Sequence, residues 1–319
     1  YLCYSIVNEG KLDLLNNKEG FMETSDFYGT EKVSRILLKI APPVMLAQLI
    51  QALYNIVDSF FVGKYSETGL TALSIIYPVQ LLMIALGVGT GVGINTDMAY
   101  YLGIGKKKKA EEVAGTGTPL GLILWIIFAA VCYVTLPAYA GMSTDSPEVI
   151  RDVVAYGRIV CLFSIGLFTE GIWSKILQAE GDMRTPMIAQ IAGAVVNIIL
   201  DPLLIFGMLG MPEMGISGAA VATVSGQIVA ALIVMKKAWY RSPRRSCYPG
   251  HIKRIYQLGI PNIIMQSAYT LYILGLNLIL AGFSDQAVTA LGLYYKWQTF
   301  FFIPLGALPV SYTHLTLPT

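Results

Sequence analysis

Long apolar runs separated by short polar stretches dominate this chain. Eight runs stand out, at about 38–62, 70–98, 113–139, 152–178, 187–209, 216–238, 256–282 and 286–310. Each is long enough to cross a bilayer as a helix, which takes ~20 residues. The pattern predicts an all-α integral membrane protein with eight spans in the 319 residues.

Charge orients these spans. Lys32, Arg35 and Lys39 precede the first, Lys106, Lys107, Lys108 and Lys109 follow the second, and Arg184 follows the fourth. Lys236, Lys237, Arg241, Arg244, Arg245, Lys253 and Arg254 bracket the loop after the sixth, while the alternate loops hold little more than Lys64 and Arg151. Basic loops stay on the cytoplasmic side, so the N-terminus is expected there, in the inner membrane of a bacterium.

Composition agrees: 55% of residues are hydrophobic and 13% charged, against about 25% charged in soluble domains. A net charge of +2 gives no reason to expect nucleic acid as a partner. Cys3, Cys132, Cys161 and Cys247 are scattered and the only histidines are His251 and His314, so neither a disulfide framework nor a metal cofactor is expected. No cleavable signal peptide is visible.

The chain repeats itself. Pro43, Gln48, Leu53, Tyr54, Thr71, Ala72, Leu73 and Tyr77 recur at a constant offset as Pro261, Gln266, Leu271, Tyr272, Thr289, Ala290, Leu291 and Tyr295. An even number of helices separates the copies, so both run the same way across the membrane, as in two-lobed alternating-access transporters. The expected organisation is an N-terminal extension (1–31, with Met22 as a credible start), a six-helix lobe (32–239), a basic cytoplasmic linker (240–255) and the first two helices of a second lobe (256–310). The second lobe would need four more helices, and such a piece alone is not expected to transport. Residues 311–319 read as a non-native tail.

Polar residues inside the runs carry the chemistry. Asn197, Asp201 and Pro202 interrupt the fifth run. Asn197 and Asp201, four apart, share a helix face, and Pro202 frees the carbonyl of Ile198. A carboxylate at this depth costs roughly 2.5–3.5 kcal/mol on insertion scales, so the patch reads as a site for a proton or a small hard cation, with Pro202 as helix hinge. In the first run Gln48, Gln51, Asn55 and Asp58 fall within an arc of about 80°. The three amides would line a cavity or bond to neighbouring helices; Asp58 needs a cation or a proton. Asp58, Asp201 and Thr223 of the sixth run all lie about 6–12 Å below the outer boundary at ~1.5 Å per residue. Two carboxylates brought together there could not both stay charged cheaply.

Glu170 lies at membrane depth and would line the substrate path or pair with a neighbour. Lys296 is expected to pair with an acid beyond residue 310, and Arg158 to snorkel. Gly87, Gly89, Gly91 and Gly93 lack the strand and Lys-Ser/Thr of a phosphate loop, so they read as helix-packing positions, as do Gly215, Gly218, Ala219, Ala222 and Gly226. No nucleophile–base pair is present, and an enzyme is not expected.

Together Tyr54 to Asp58 with Phe61, Val62 and Gly63, then Gly181 and Asp182, Asn197 to Pro202, and Gly218 to Thr223 resemble the multidrug and toxic compound extrusion (MATE) transporters, over about residues 32–310. The resemblance implies a twelve-helix antiporter of two six-helix lobes that expels drugs and organic cations in exchange for Na⁺ or H⁺; a monomer is expected. In the DinF-like branch the ion site lies in the N-terminal lobe; carried over, it comprises Asp58, Asn197, Asp201 and Thr223. The NorM-like branch adds a glutamate in the seventh helix, and 256–282 holds no acidic residue, which favours the DinF-like site. A lipid-linked oligosaccharide flippase of related architecture would show a large cationic cavity, and a scaffold or receptor would be indifferent to Asp58 and Asp201.

Overall fold

Each apolar run is helical over most of its length. The computed structural model describes residues 33–316; the expected extension at 1–31 and the last three residues of the expected tail lie outside the described residues. Among the described residues nine α-helices follow in order: α1 (Val33–Tyr65), α2 (Glu67–Gly103), α3 (Lys107–Ser143), α4 (Pro147–Leu162), α5 (Ile165–Ala179), α6 (Arg184–Ile205), α7 (Ile216–Ala238), α8 (Tyr248–Ala281) and α9 (Asp285–Thr316). Among the described residues six helices are long and apolar enough to cross a membrane, and α4 with α5 forms a seventh candidate. The protein is an all-helical, multi-pass membrane protein.

One expectation is corrected: the run at 152–178 is two helices meeting at 46°. The break falls at Phe163 and Ser164, where no proline stands. Side chains satisfy the carbonyls it frees. The Ser164 hydroxyl donates to Cys161 O at 2.7 Å and the Trp125 indole to Leu162 O at 2.9 Å. Interrupted helices are tolerated at membrane depth when the backbone finds such partners. The break also brings Cys161 beside Cys132 of α3, both buried free thiols within hydrogen-bonding reach. These cysteines are adjacent in space although they are scattered in sequence.

Two apolar clusters form the core. One gathers Val62, Ile76, Leu136, Tyr156, Phe168, Ile205 and Ala220; the other Ile94, Val113, Ile172, Ala189, Val234 and Ile255. On α6 Ile205 and Ala189 belong to different clusters, and on α7 so do Ala220 and Val234. The polar residues Asn197, Asp201 and Thr223 lie between them along the helices.

The glycine run of α2 serves packing. A Cβ at Gly93 would run into the carbonyl of Ile255 on α8, and one at Gly259 would lie 2.7 Å from Gly89 O. Such backbone approach is open only to glycine. Farther along this contact, toward the end bearing Lys106 and Lys107, Arg254 of α8 pairs with Asp97 of α2 and lies 4.7 and 5.0 Å from the ring centres of Tyr100 and Tyr101. Asp97 is fully buried and neither of its oxygens has an aligned hydrogen-bond donor, so the contact is an ion pair. Arg254→Ala would leave a buried charge without a counter-ion. The expected cost is roughly 2 kcal/mol, below the value for fully buried pairs because the Arg254 side chain is 40% exposed. Thermal unfolding in detergent checks this, with Arg254→Lys recovering part of the loss.

At the other end of α2, Ser66 caps the helix by accepting from Gly69 N at 3.2 Å. One turn on, the Thr71 hydroxyl lies 2.7 Å from that of Thr289 on α9, its counterpart in the repeat. Each also has a carbonyl of its own helix in reach, Glu67 O for Thr71 and Asp285 O for Thr289; with one hydrogen apiece, one threonine donates across the pair while the other donates back along its helix.

Asp182 organises the turn into α6. It accepts from the N–H groups of Arg184 and Thr185 (3.1 and 3.0 Å), the Thr185 hydroxyl (2.6 Å) and the Lys237 ammonium (3.1 Å). The start of α6 is thereby tied to the end of α7. Burial alone would raise the Asp182 carboxyl; the bonds from Thr185 and Lys237 outweigh it and hold the group below the usual carboxylate range. A carboxyl depressed on folding stabilises the fold above its unfolded pKa, about 3.9, and loses that contribution as pH falls through the lower folded value. Asp182→Ala is expected to lose about 1 kcal/mol at neutral pH, the usual worth of such a cap. The gap from wild type should close as melting is followed below about pH 4.

Candidate functional site

The site is built where α6 and α7 lie closest. Gly193 and Gly226 face each other, and a Cβ at either would stand 2.7 or 2.5 Å from the other's carbonyl oxygen. Gly218 likewise lies against the backbone of Leu204. This approach seats three polar side chains between the helices. Ile188, Val195 and Ile199 of α6 are exposed on the opposite face, as suits contact with lipid, while Asn197 is 2% exposed and Asp201 not at all.

The Asn197 amide donates to Asp201 Oδ1 at 3.3 Å and to the Thr223 hydroxyl at 3.5 Å, the second bond at the limit of reach. Asp58 of α1, 4% exposed, lies close enough for its charge to act on Asp201. The structure therefore gathers Asp58, Asn197, Asp201 and Thr223, all four expected from sequence. The Tyr156 hydroxyl of α4 adjoins Thr223 and accepts from Gln80 of α2 at 3.2 Å. Tyr54 lies between the charges of Asp58, Glu170 and Asp201.

Oxygen atoms dominate this cluster and several lack partners. Asp58 Oδ1, Asn197 Oδ1 and Asp201 Oδ2 are buried and accept no hydrogen bond. An unpaired buried acceptor costs about 1–3 kcal/mol, and more where it is charged. Three of them on neighbouring side chains fit a proton or a hard monovalent cation, for which oxygen ligands are suited.

Pro202 sits near the end of α6, which closes at Ile205, and Gly207 follows with φ 68°. The apolar run to Leu209 thus overstates the helix. A hinge at Pro202 would swing only the final turn.

One cavity lies apart from the amides of α1 and from Glu170. A cavity of about 440 Å³ opens between α1 and α9, lined by Ser59, Phe60, Lys64, Leu293, Lys296 and Trp297 among others, without Gln48, Gln51, Asn55 or Glu170. The Asn55 amide donates to Gln51 O of its own helix at 2.9 Å. Glu170 accepts from Ser174 at 2.6 Å and lies near Lys175 and Gln190, a half-buried polar group along α5 and α6. Arg158, expected to snorkel, lies 5.0 Å from the Tyr133 ring centre.

Lys296 is a correction. Its ammonium donates to Ser59 of α1 and lies in coulombic reach of Asp58, so its acidic neighbour is within the described chain. Sequence reading also passed over Asp97, although it is the only charged residue between Glu67 and Lys106. Tyr156 and Gln80 gave no signal, being ordinary within apolar runs.

The site is thus a pair of carboxylates buried between the helices of a multi-pass membrane bundle. In comparison with known proteins, the MatE family model matches residues 43–203, half of the chain. The chain belongs to the MatE family. It is 27% identical over 296 residues to a probable multidrug resistance protein NorM of Thermotoga maritima, covering 89% of this chain and 62% of that one. It is also 27% identical over 201 residues to an FAD transporter of Shewanella oneidensis, covering 62% and 44%. Among solved structures, a MOP superfamily transporter from Pyrococcus furiosus superposes with a TM-score of 0.79 at 23% identity, covering 91% of this chain and 65% of that one. The chain thus spans less than two thirds of these relatives.

Proposed function

We infer that the chain is the ion-binding part of a secondary active antiporter of the DinF-like branch, expelling drugs and organic cations in exchange for H⁺ or Na⁺. In this reading it contributes the whole N-terminal six-helix lobe and the first two helices of the second. The protein works as a monomer in the bacterial inner membrane with its N-terminus cytoplasmic. The observation that carries the reading is the set of unpaired oxygens on Asp58, Asn197 and Asp201.

The mechanism follows from charge and packing. From the outward-facing state a proton or Na⁺ enters among these oxygens and removes the repulsion between the two carboxylates. The last turn of α6 beyond Pro202 and the adjoining α1 then repack, narrowing the cavity and releasing cargo outward. The lobes next rock to expose the cavity to the cytoplasm. Ion and cargo each act only through different affinities for the two states. Gln48, Gln51, Asn55 and Glu170 are assigned to the cargo path along α1 and α5.

The test uses vesicles carrying the full-length protein and a fluorescent organic cation, with a pH jump and a Na⁺ jump applied in turn. Efflux that follows one gradient supports the reading and names the ion. Absence of efflux under both, with the protein folded and inserted, would overturn it. Repeating the assay with a flavin dinucleotide checks whether cargo of the opposite charge is carried.

A further inference from the structure

Lys296 has no role in the site just described, yet it is the cation nearest to it. It is 8% exposed, an unusual state for an ammonium unless something compensates its charge. Its hydrogen-bond acceptor is the Ser59 hydroxyl, which in turn donates to Asn55 O at 2.8 Å. Ser59 follows Asp58 in sequence, and Asp58 is the acid within coulombic reach of Lys296. Asp58 makes no ion pair within 4 Å among the described residues, and its Oδ1 has no hydrogen-bond partner. The ammonium therefore faces the carboxylate without quenching it. The other titratable groups in reach of Asp58 are Asp201, Tyr54 and Tyr156, none of them a cation.

We propose that Lys296 is a tethered rival of the coupling ion: its ammonium balances Asp58 when the site is empty, and a cation among the Asp58, Asn197 and Asp201 oxygens displaces that balance and loosens α9 from α1. This rests on the ion-site reading above. Two positive charges cannot both sit beside one buried carboxylate without repulsion, which is strong where water is scarce. Occupancy by the ion thus weakens the hold on Lys296, and the hold on Lys296 weakens the ion, as linkage requires. Lys296 also lines the cavity between α1 and α9 together with Ser59, Lys64 and Trp297, so its release alters the wall of that cavity. It is a positioning residue: it acts on the ion through Asp58.

The experiment measures ²²Na⁺ binding and proton uptake by the chain in lipid nanodiscs, for wild type, Lys296→Gln, Lys296→Met and Lys296→Arg, each alone and with Asp201→Asn. The glutamine can still donate to Ser59 and guards against a folding defect; monodisperse gel filtration qualifies each variant. Both neutral variants are expected to bind the cation about tenfold more tightly, and Lys296→Arg to stay near wild type. A structural role alone would weaken binding in the neutral variants or leave it unchanged, and either result overturns the proposal while the ion site stands. If no protein shows cation binding that Asp201→Asn removes, the ion-site reading falls and the proposal with it.

Discussion

Asp201→Asn is expected to leave the protein folded and to abolish gradient-driven efflux. The substitution keeps the volume of the side chain and one acceptor oxygen for Asn197, which donates to Asp201 Oδ1 at 3.3 Å. It replaces an unpaired buried oxygen, Oδ2, with an NH₂ group, which can neither accept a proton nor bind a cation. The pair with Asp58 is then permanently relieved of repulsion, and ion gradients lose one of the two charges they act through. Efflux under either gradient should fall at least tenfold, equivalent to about 1.4 kcal/mol of coupling, while the melting temperature holds or rises. Unchanged efflux in a folded Asp201→Asn protein would remove the residue from the mechanism.

Gly226→Ala should damage both stability and the ion site, although glycine to alanine usually favours a helix. The added methyl would stand 2.5 Å from Gly193 O and 3.4 Å from the Asn197 side chain. Backbone cannot yield as a flexible side chain can, so α7 must move away from α6. Overpacking of this kind costs roughly 1–3 kcal/mol. The displacement also lengthens the Asn197 to Thr223 bond, already 3.5 Å, and spreads the oxygens that the site depends on. Cation binding by the variant is expected to weaken more than its melting point suggests. Gly141→Ala on α3, where nothing lies within 4 Å, is the control and should be neutral. Wild-type binding in Gly226→Ala would mean that the two helices are not held by this contact.

How much of this was legible beforehand depended on the kind of signal. Asn197 and Asp201 could be read because an ionisable residue in an apolar run is costly and a spacing of four sets the face. Thr223 and Asp58 followed from depth, and depth survives into the fold because the spans are nearly complete helices. The break between α4 and α5 left no mark, since Phe163 and Ser164 are unremarkable in a span, and the carbonyls it frees are met by a local bond from Ser164 and a tertiary one from Trp125. Tyr156 and Gln80 were hidden for the same reason: in an apolar run their polarity is too slight to stand out. Lys296 was visible as a charge but not in its partner, because the repeat says where α9 begins and not which face it turns to α1. Asp97 was legible and overlooked; its partner Arg254 was counted only as one of a group of basic loop residues.

The hydroxyl pair of Thr71 and Thr289 has a consequence of another kind. The two residues occupy the same place in successive copies of one sequence unit, and they touch each other at 2.7 Å. A position that meets its own duplicate must be complementary to itself, as in the isologous contact of a two-fold dimer. Threonine satisfies that condition because one hydroxyl both donates and accepts. An aspartate or a lysine would have met its own charge the moment the unit was doubled. The side chain at this one position therefore suits a pair of separate six-helix chains as well as it suits the fused protein.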